Sequence, residues 1–466
     1  MSDPQQAPKL TAQIGLGAAI LLVIANMIGT GIFTTSGLLL AELNHSKALF
    51  IAWAIGALFA LSGALCYGEL GVMMPKAGGE YAYLREAFGD LIGFMGGWIS
   101  LIVGFSAPIA ATAIAVGVYL LGQDALAIGW RWQINQYDLI TISPITLIAI
   151  ATVLFFSYVH SRNVRWGLNI QSILTIVKLS FIILLITAPF VLNWPKASSL
   201  LQSAIHYEEG HLNKLSFAVA LIYVSFAYSG WNASCYLGSE IKNPQRNLPL
   251  SILVGTIIVS IIYLLLNLSF FAVIPIESIK GAIDVAALAA HALFGPQVAK
   301  AFGIIVAICL LSAVSAMVLV GSRVYYAMAV DGLIPIRVED KLEDKQPPKT
   351  AIYIQALITI VMILSGSFES LLIYTGFLLS LSAMLTVIAL IVLRQRIGPP
   401  SRGYRTWGYP ITPILFIGAN LWIVSYSVAA RPIIALWGLV SLFIGLLLYY
   451  LIKITQRKNV RLSSTR

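Results

Sequence analysis

Ile28-Gly29-Thr30-Gly31-Ile32 and Ala227-Tyr228-Ser229-Gly230-Trp231 each interrupt an apolar segment near its middle, at corresponding places in the two halves of the chain. A helix broken at membrane depth leaves backbone N–H and C=O groups without partners, and in hydrocarbon each costs several kcal/mol. Such a break persists where it lines a cavity or binds something. Two breaks facing each other near the midplane are the expected substrate site of an inverted-repeat secondary transporter. The competing explanation, glycine kinks that only pack against neighbouring helices, accounts less well for the matched positions and for the helix start expected after each break.

The composition agrees. Of 466 residues, 59% are hydrophobic and 10% charged, with a mean hydropathy of +0.88, whereas soluble domains carry about a quarter charged residues. Apolar runs near the length that crosses a bilayer, about 20 residues, occupy 13–40, 49–74, 91–121, 143–159, 168–192 and 215–237. A second set occupies 250–274, 298–330, 350–365, 371–393, 411–429 and 432–452. The expected architecture is an all-α membrane protein of twelve transmembrane helices. Pro108 is a candidate kink in the long third run. The outer connections 122–142, 193–213 and 275–296 are expected to hold short amphipathic helices.

Charge sets the orientation. With the amino terminus inside, the outer segments hold seven Lys and Arg: Lys47, Arg131, Lys196, Lys214, Lys280, Lys300 and Arg431. The inner segments hold twenty, among them Lys9, Arg337, Lys341, Lys345 and Arg466. Both termini are therefore expected in the cytoplasm. The net charge of +10 is explained by orientation and anionic headgroups rather than nucleic acid. No cleavable signal peptide is read at the start. Cys66, Cys235 and Cys309 all fall within spans, so no disulfide framework is expected.

Five spans per repeat, an odd number, make the second half insert upside down relative to the first. The resulting organisation is a tail at 1–12, a first repeat at 13–193, an outer loop at 194–212 and a second repeat at 213–396. Helices eleven and twelve follow at 397–453, and a tail at 454–466.

At the first break the free N–H groups of Gly29, Thr30 and Gly31, backed by a helix dipole, suit a carboxylate. The helix ends near Met27 and from Phe226 to Ser229 offer carbonyls to an ammonium. That pair of seats fits a zwitterion such as an α-amino acid, with Phe226 as a lid and Tyr228, Trp231, Asn232 and Cys235 around the side-chain pocket. Lys178 is the one ionisable side chain near the middle of a span, where charge marks a pathway or switch. It acts either as a fixed cation on the carbonyls of the first break or as a group that loses its proton during the cycle. Glu69, Glu80, Arg85, Glu240, Lys242, Arg246, Arg323 and Asp331 read as residues of inner helix ends, forming interfacial salt bridges or an inner gate. On this reading no acidic residue reaches the midplane to receive a second ammonium. No HExxH, CxxC or P-loop is present, so neither an enzyme nor an ATP-driven pump is indicated and no cofactor is expected. A channel would want a continuous polar lining.

The stretches 26–33 (NMIGTGIF) and 226–232 (FAYSGWN), then 240–244 (EIKNP) and 246–249 (RNLP), resemble the amino acid, polyamine and organocation transporter superfamily, and within it the L-type amino acid transporters. Gly78-Gly79-Glu80-Tyr81, 322–328 (SRVYYAM) with Asp331-Gly332, and 404–410 (YRTWGYP) extend the resemblance over nearly the whole chain. It implies the fold of the sodium-coupled leucine transporter and sodium-independent transport, often obligatory exchange, of neutral amino acids. By motif position Thr30 and Gly31 would bind the carboxylate, and the carbonyls of Met27, Phe226 and Ser229 the amine. Phe226 would cover the substrate and Lys178 would fill a vacated sodium site. Ser229 stands where a glycine is frequent, and residues 233–235 differ from the usual ones. No cysteine lies between spans three and four, so a disulfide-linked heavy chain is not expected. A stand-alone, monomeric bacterial member of the inner membrane is the implied form. Proton symport, polyamine or glutamate exchange and a channel are the alternatives.

Overall fold

Helix ends in this chain are written by proline and by polar caps. Ser143 caps the helix that starts at Pro144 through a reciprocal pair of bonds with Thr146, and Pro244 and Pro296 open two more, since proline loses nothing at a helix's first turn. The computed structural model describes residues 12–126, 128–134, 137–192, 194–209, 213–282, 284–334, 348–365, 368–430 and 432–464. Lys9, His211, Arg337, Lys341, Lys345, Arg431 and Arg466, with residues 1–11 of the first tail, lie outside them.

The helices are α1 (Leu16–Met27), α2 (Thr30–Leu43), α3 (Ser46–Met73), α4 (Glu80–Phe88), α5 (Asp90–Ile99), α6 (Ala107–Leu121), α7 (Pro144–Arg162), α8 (Val164–Leu192) and α9 (Trp194–Ile205). The second half holds α10 (Lys214–Ala227), α11 (Ala233–Tyr236), α12 (Pro244–Val273), α13 (Ile276–Ile279), α14 (Val285–Phe294) and α15 (Pro296–Val330). It ends with α16 (Lys349–Ser365), α17 (Phe368–Ile397), α18 (Ile411–Ala430) and α19 (Pro432–Ser464). Among the described residues, nine helices are long and apolar enough to cross a membrane. Lys214–Ala227, Lys349–Ser365 and Ile411–Tyr426 are apolar but shorter, and they overlap the sixth, ninth and eleventh expected spans.

Both breaks exist, but they are unequal. The first separates α1 from the 14-residue α2, while the second is followed by only the four-residue α11 and a 3-10 turn at Gly238–Glu240. In the third span a π-helical segment, Ser100–Ser106, joins α5 to α6 just before Pro108. Proline lacks the N–H that the preceding turn requires, and the wider winding accommodates it.

The outer connections depart from expectation in one place. The second and third connections hold helices α9, α13 and α14, but the first carries a 3-10 turn at Gln123–Leu126 and an antiparallel strand pair, β1 (Trp130–Ile134) with β2 (Tyr137–Ile142). Its alternating aromatic and β-branched residues favour strands.

The core runs along α12, which packs on α3 and α1, and along α15, which packs on α6 and α8. Below the second break the chain is sealed by backbone pairing. Gln13 and Ile14 donate to Glu240 O at 2.8 and 2.9 Å, Lys242 N donates to Ile14 O at 2.9 Å, and Gly78 N donates to Tyr236 O at 3.1 Å. Arg323 of α15 holds this seam with a bidentate pair to Glu240, Nε–Oε1 2.8 Å and Nη2–Oε2 3.0 Å, and both side chains are buried. Removing one partner strands a buried charge. Arg323→Ala is expected to cost about 3–5 kcal/mol, whereas Arg323→Met with Glu240→Leu costs far less. Denaturant midpoints of the purified variants in detergent check this, and an equal loss in both variants would contradict it.

Candidate functional site

The carbonyls stranded at the end of α1 are answered from outside the helix. Lys178, fully buried on α8, points its ammonium at them, with Nζ 2.5 Å from Ile28 O and 3.2 Å from Ala25 O. Tyr263 of α12 bridges the two breaks, its hydroxyl lying 2.7 Å from Met27 O and 2.9 Å from Ala227 O. One phenol thus touches the last carbonyl of α1 and of α10. Trp53 and Tyr228 pack on its ring, at centroid distances of 5.3 and 5.1 Å.

The breaks also touch directly, and glycine makes this possible. A Cβ on Gly31 would fall 2.7 Å from Ala227 Cα. One on Gly230, whose φ is +93°, would fall 2.8 Å from Asn26 O. Asn26 donates from Nδ2 to Gly230 O at 3.3 Å, leaving its buried Oδ1 with no partner among the described residues.

Beside this junction lies a cavity of about 100 Å3, roughly the space of three water molecules. Its wall includes Asn26, Phe226, Ser229, Gly230, Trp231 and Asn232 from the breaks, and Gly104, Phe105 and Pro108 from the π-helical region. Tyr228 also reaches it, although its ring is mostly committed to Trp53 and Tyr263. Trp231 is wedged against Tyr67 at 4.7 Å and Phe416 at 6.2 Å. Gly29, Thr30, Gly31 and Met27 are not on the cavity wall; Thr30 and Gly31 are buried against neighbouring segments. Met27 O is already taken by Tyr263 and by Gly29 N at 3.0 Å, and Phe226 O accepts from Ser229 N at 3.0 Å. Cys235 lies off the cavity, its thiol 3.8 Å from Tyr67 O.

Glu80, expected at an inner helix end, is instead buried on the cavity wall. Gly78 and Gly79, with φ of +100° and +52°, turn the chain so that α4 begins inside the protein, and Glu80 lines the cavity. Its Oε1 accepts from Tyr67 Oη and Asn232 Nδ2, both at 2.8 Å, and its Oε2 from Ser382 Oγ at 2.5 Å. α4 is not one of the spanning segments. Burial pushes the Glu80 carboxyl above its usual range, against the pull of the hydrogen bonds from Ser382, Tyr67 and Asn232.

The other inner residues do pair. Glu69 holds Arg394 in two 2.6 Å bonds and accepts from Thr406 N at 2.7 Å, while Arg394 stacks over Tyr409 at 3.7 Å. Arg85 bonds Asp90 at 2.9 Å and Asp331 at 2.8 Å, and Tyr81 donates to Asp331 at 2.7 Å. Lys242 and Arg246 are exposed. Sequence reasoning missed Asn26 and Tyr263 as site residues. A polar side chain one turn before the first break was a usable signal for Asn26; a tyrosine in an apolar span carries none.

Comparisons with known proteins agree with this architecture. Residues 14–446 match the family described as amino acid permease. The chain is 28% identical over 446 residues to the serine/threonine exchanger SteT of Bacillus subtilis (strain 168), covering 95% of this chain and 97% of that protein. It is 27% identical over 452 residues to the large neutral amino acids transporter small subunit 2 of Mus musculus, covering 95% and 81%. It is 28% identical over 456 residues to the cystine/glutamate transporter of Homo sapiens, covering 97% and 88%. With its apolar helices and two contacting breaks, this integral membrane protein belongs to the amino acid permease family of the amino acid, polyamine and organocation superfamily.

Proposed function

We propose that this permease is a sodium-independent exchanger of neutral L-amino acids that works by alternating access. The Lys178 ammonium on Ala25 O and Ile28 O carries the reading. A fixed cation there does what a bound sodium ion would otherwise do, holding the carbonyls of the first break. The relatives support exchange of neutral amino acids, since one is named a serine/threonine exchanger and another a large neutral amino acids transporter subunit. The fold proposed is the twelve-helix, 5+5 inverted repeat. Both termini are cytoplasmic in a bacterial inner membrane, and the protein is a stand-alone monomer.

In this reading the substrate carboxylate sits on the N–H groups of Gly29, Thr30 and Gly31, which lie off the cavity wall in this conformation, with Gly29 N turned to Met27 O, so the breaks part to receive it. The amine is received by the carbonyls of Met27, Phe226 and Ser229, with the orphan Asn26 Oδ1 beside them. Because Met27 O and Phe226 O already accept bonds, the arriving ammonium shares or exchanges them. The side chain enters the cavity under Phe226, towards Ser229, Trp231 and Asn232. Proton symport with Lys178 releasing its proton is the second reading. It is favoured by one fact: the ammonium faces carbonyls and no carboxylate among the described residues.

Uptake of labelled serine and leucine into proteoliposomes decides between them. Uptake that needs internal amino acid and ignores an imposed proton gradient supports exchange; uptake into empty vesicles driven by the gradient supports symport. Lys178→Ala removes two charge-assisted bonds of about 1.5–3 kcal/mol each and is expected to lower flux at least about ten-fold with expression intact. Unchanged flux would sink the role given to it. Gly31→Val, which drives a side chain into Ala227, is expected to suppress exchange by a similar roughly ten-fold factor. Wild-type kinetics in that variant would mean that the breaks need not touch.

A further inference from the structure

Among the described residues on the cavity wall, Glu80 is the one acidic side chain, and no lysine, arginine or histidine accompanies it. The other two buried inner carboxylates, Glu69 and Glu240, each carry a bidentate arginine. Those two are struts: their charge is cancelled where they sit. Glu80 is equally buried, yet among the described residues its oxygens meet only uncharged donors, from Tyr67, Asn232, Ser382 and Tyr236. Among the described residues the titratable groups facing it are Tyr67 from α3, Tyr83 from its own helix, and Cys235 and Tyr236 from α11, and none of these is a cation. These donors hold the carboxyl in place and oppose the burial that pushes it up, and the ionised form directs its field into the cavity.

We propose that Glu80 is a specificity-determining residue of the side-chain pocket. Its carboxylate bars amino acids with an acidic side chain and, by holding the Asn232 amide on the cavity wall, favours side chains that end in a hydroxyl or amide. The proposal rests on the exchanger reading above. A cavity of about 100 Å3 leaves an anionic side chain little room for a hydration shell, and like charges partly withdrawn from water repel more strongly than in bulk solvent. Asn232 Nδ2 is committed to Glu80, which fixes the orientation of the amide that shares the wall with Ser229.

The test is competition against labelled serine exchange in proteoliposomes by two isosteric pairs, asparagine with aspartate and threonine with valine. The wild type is expected to prefer asparagine and threonine. In Glu80→Gln the discrimination against aspartate is expected to fall about ten-fold or more, and the threonine preference to fall with it. Ser382→Ala, which loosens the same anchor but keeps the charge, is expected to slow all substrates alike and leave both ratios standing. Should Glu80→Gln fail to fold, the wild type decides: aspartate that competes with serine within about two-fold of asparagine overturns the proposal. Ratios within about two-fold of wild type in Glu80→Gln likewise overturn it and make Glu80 a strut. A wild type that exchanges no amino acid sinks the exchanger reading itself, a result visible before any variant is made.

Discussion

The ammonium of Lys178 on Ala25 O and Ile28 O is the interaction on which the rest of the site depends. A helix that stops inside a membrane protein leaves its last carbonyls without N–H partners, and a lysine at that depth is expensive alone. Each repairs the other's deficit. Bonds from a charged donor are worth about twice neutral ones, which suits the one place where backbone order is given up. Tyr263 extends the repair by donating to Met27 O and Ala227 O together. The two interrupted helices are therefore joined through side chains of α8 and α12, elements that are themselves unbroken.

That joining explains the glycines. Two helix ends in contact leave no room for a Cβ, so Gly31 meets Ala227 and Gly230 meets Asn26, each break contributing the small residue that the other needs. Gly230 also takes φ +93°, a conformation that costs other L-residues about 1–2 kcal/mol. The small residues that mark the breaks in sequence are thus set by contact between the breaks as well as by any ligand.

Much of this was legible because it is local. Long apolar runs, the breaks, the lone Lys178 and the proline and polar helix starts each show in a short window of sequence, and the described helices fall where those windows place them. Three features were not. The connection 122–142 suits a short amphipathic helix by hydropathy, which ignores the alternation of Trp130, Trp132, Ile140 and Ile142 that pairs the strands. The brevity of α11 was hidden because Ala233–Leu237 is apolar enough to continue a helix; it instead gives way to a 3-10 turn and backbone pairing. Sequence position alone puts Glu80 at an inner helix end, because depth is not a property of sequence distance. The turn at Gly78-Gly79 carries the chain back inward, and what Glu80 meets there, Tyr67, Asn232 and Ser382, is 13, 152 and 302 residues away.

The inequality of the breaks bears on which parts can move in the exchange cycle proposed above. α2 continues the first break as 14 residues of helix, so displacing it means moving a rigid body. Beyond the second break the chain is held by a few backbone bonds to residues 13–14 and 77–78. Each such bond contributes about 1 kcal/mol net, so the seam can part without unfolding a helix. The buried Arg323–Glu240 pair fastens the same seam to α15. Its geometry is good, but in a buried pair desolvation offsets much of the Coulomb gain. The pair therefore fixes the register of the closed seam more than it deepens the closed state. A gate needs that combination, one well-defined closed arrangement at modest depth.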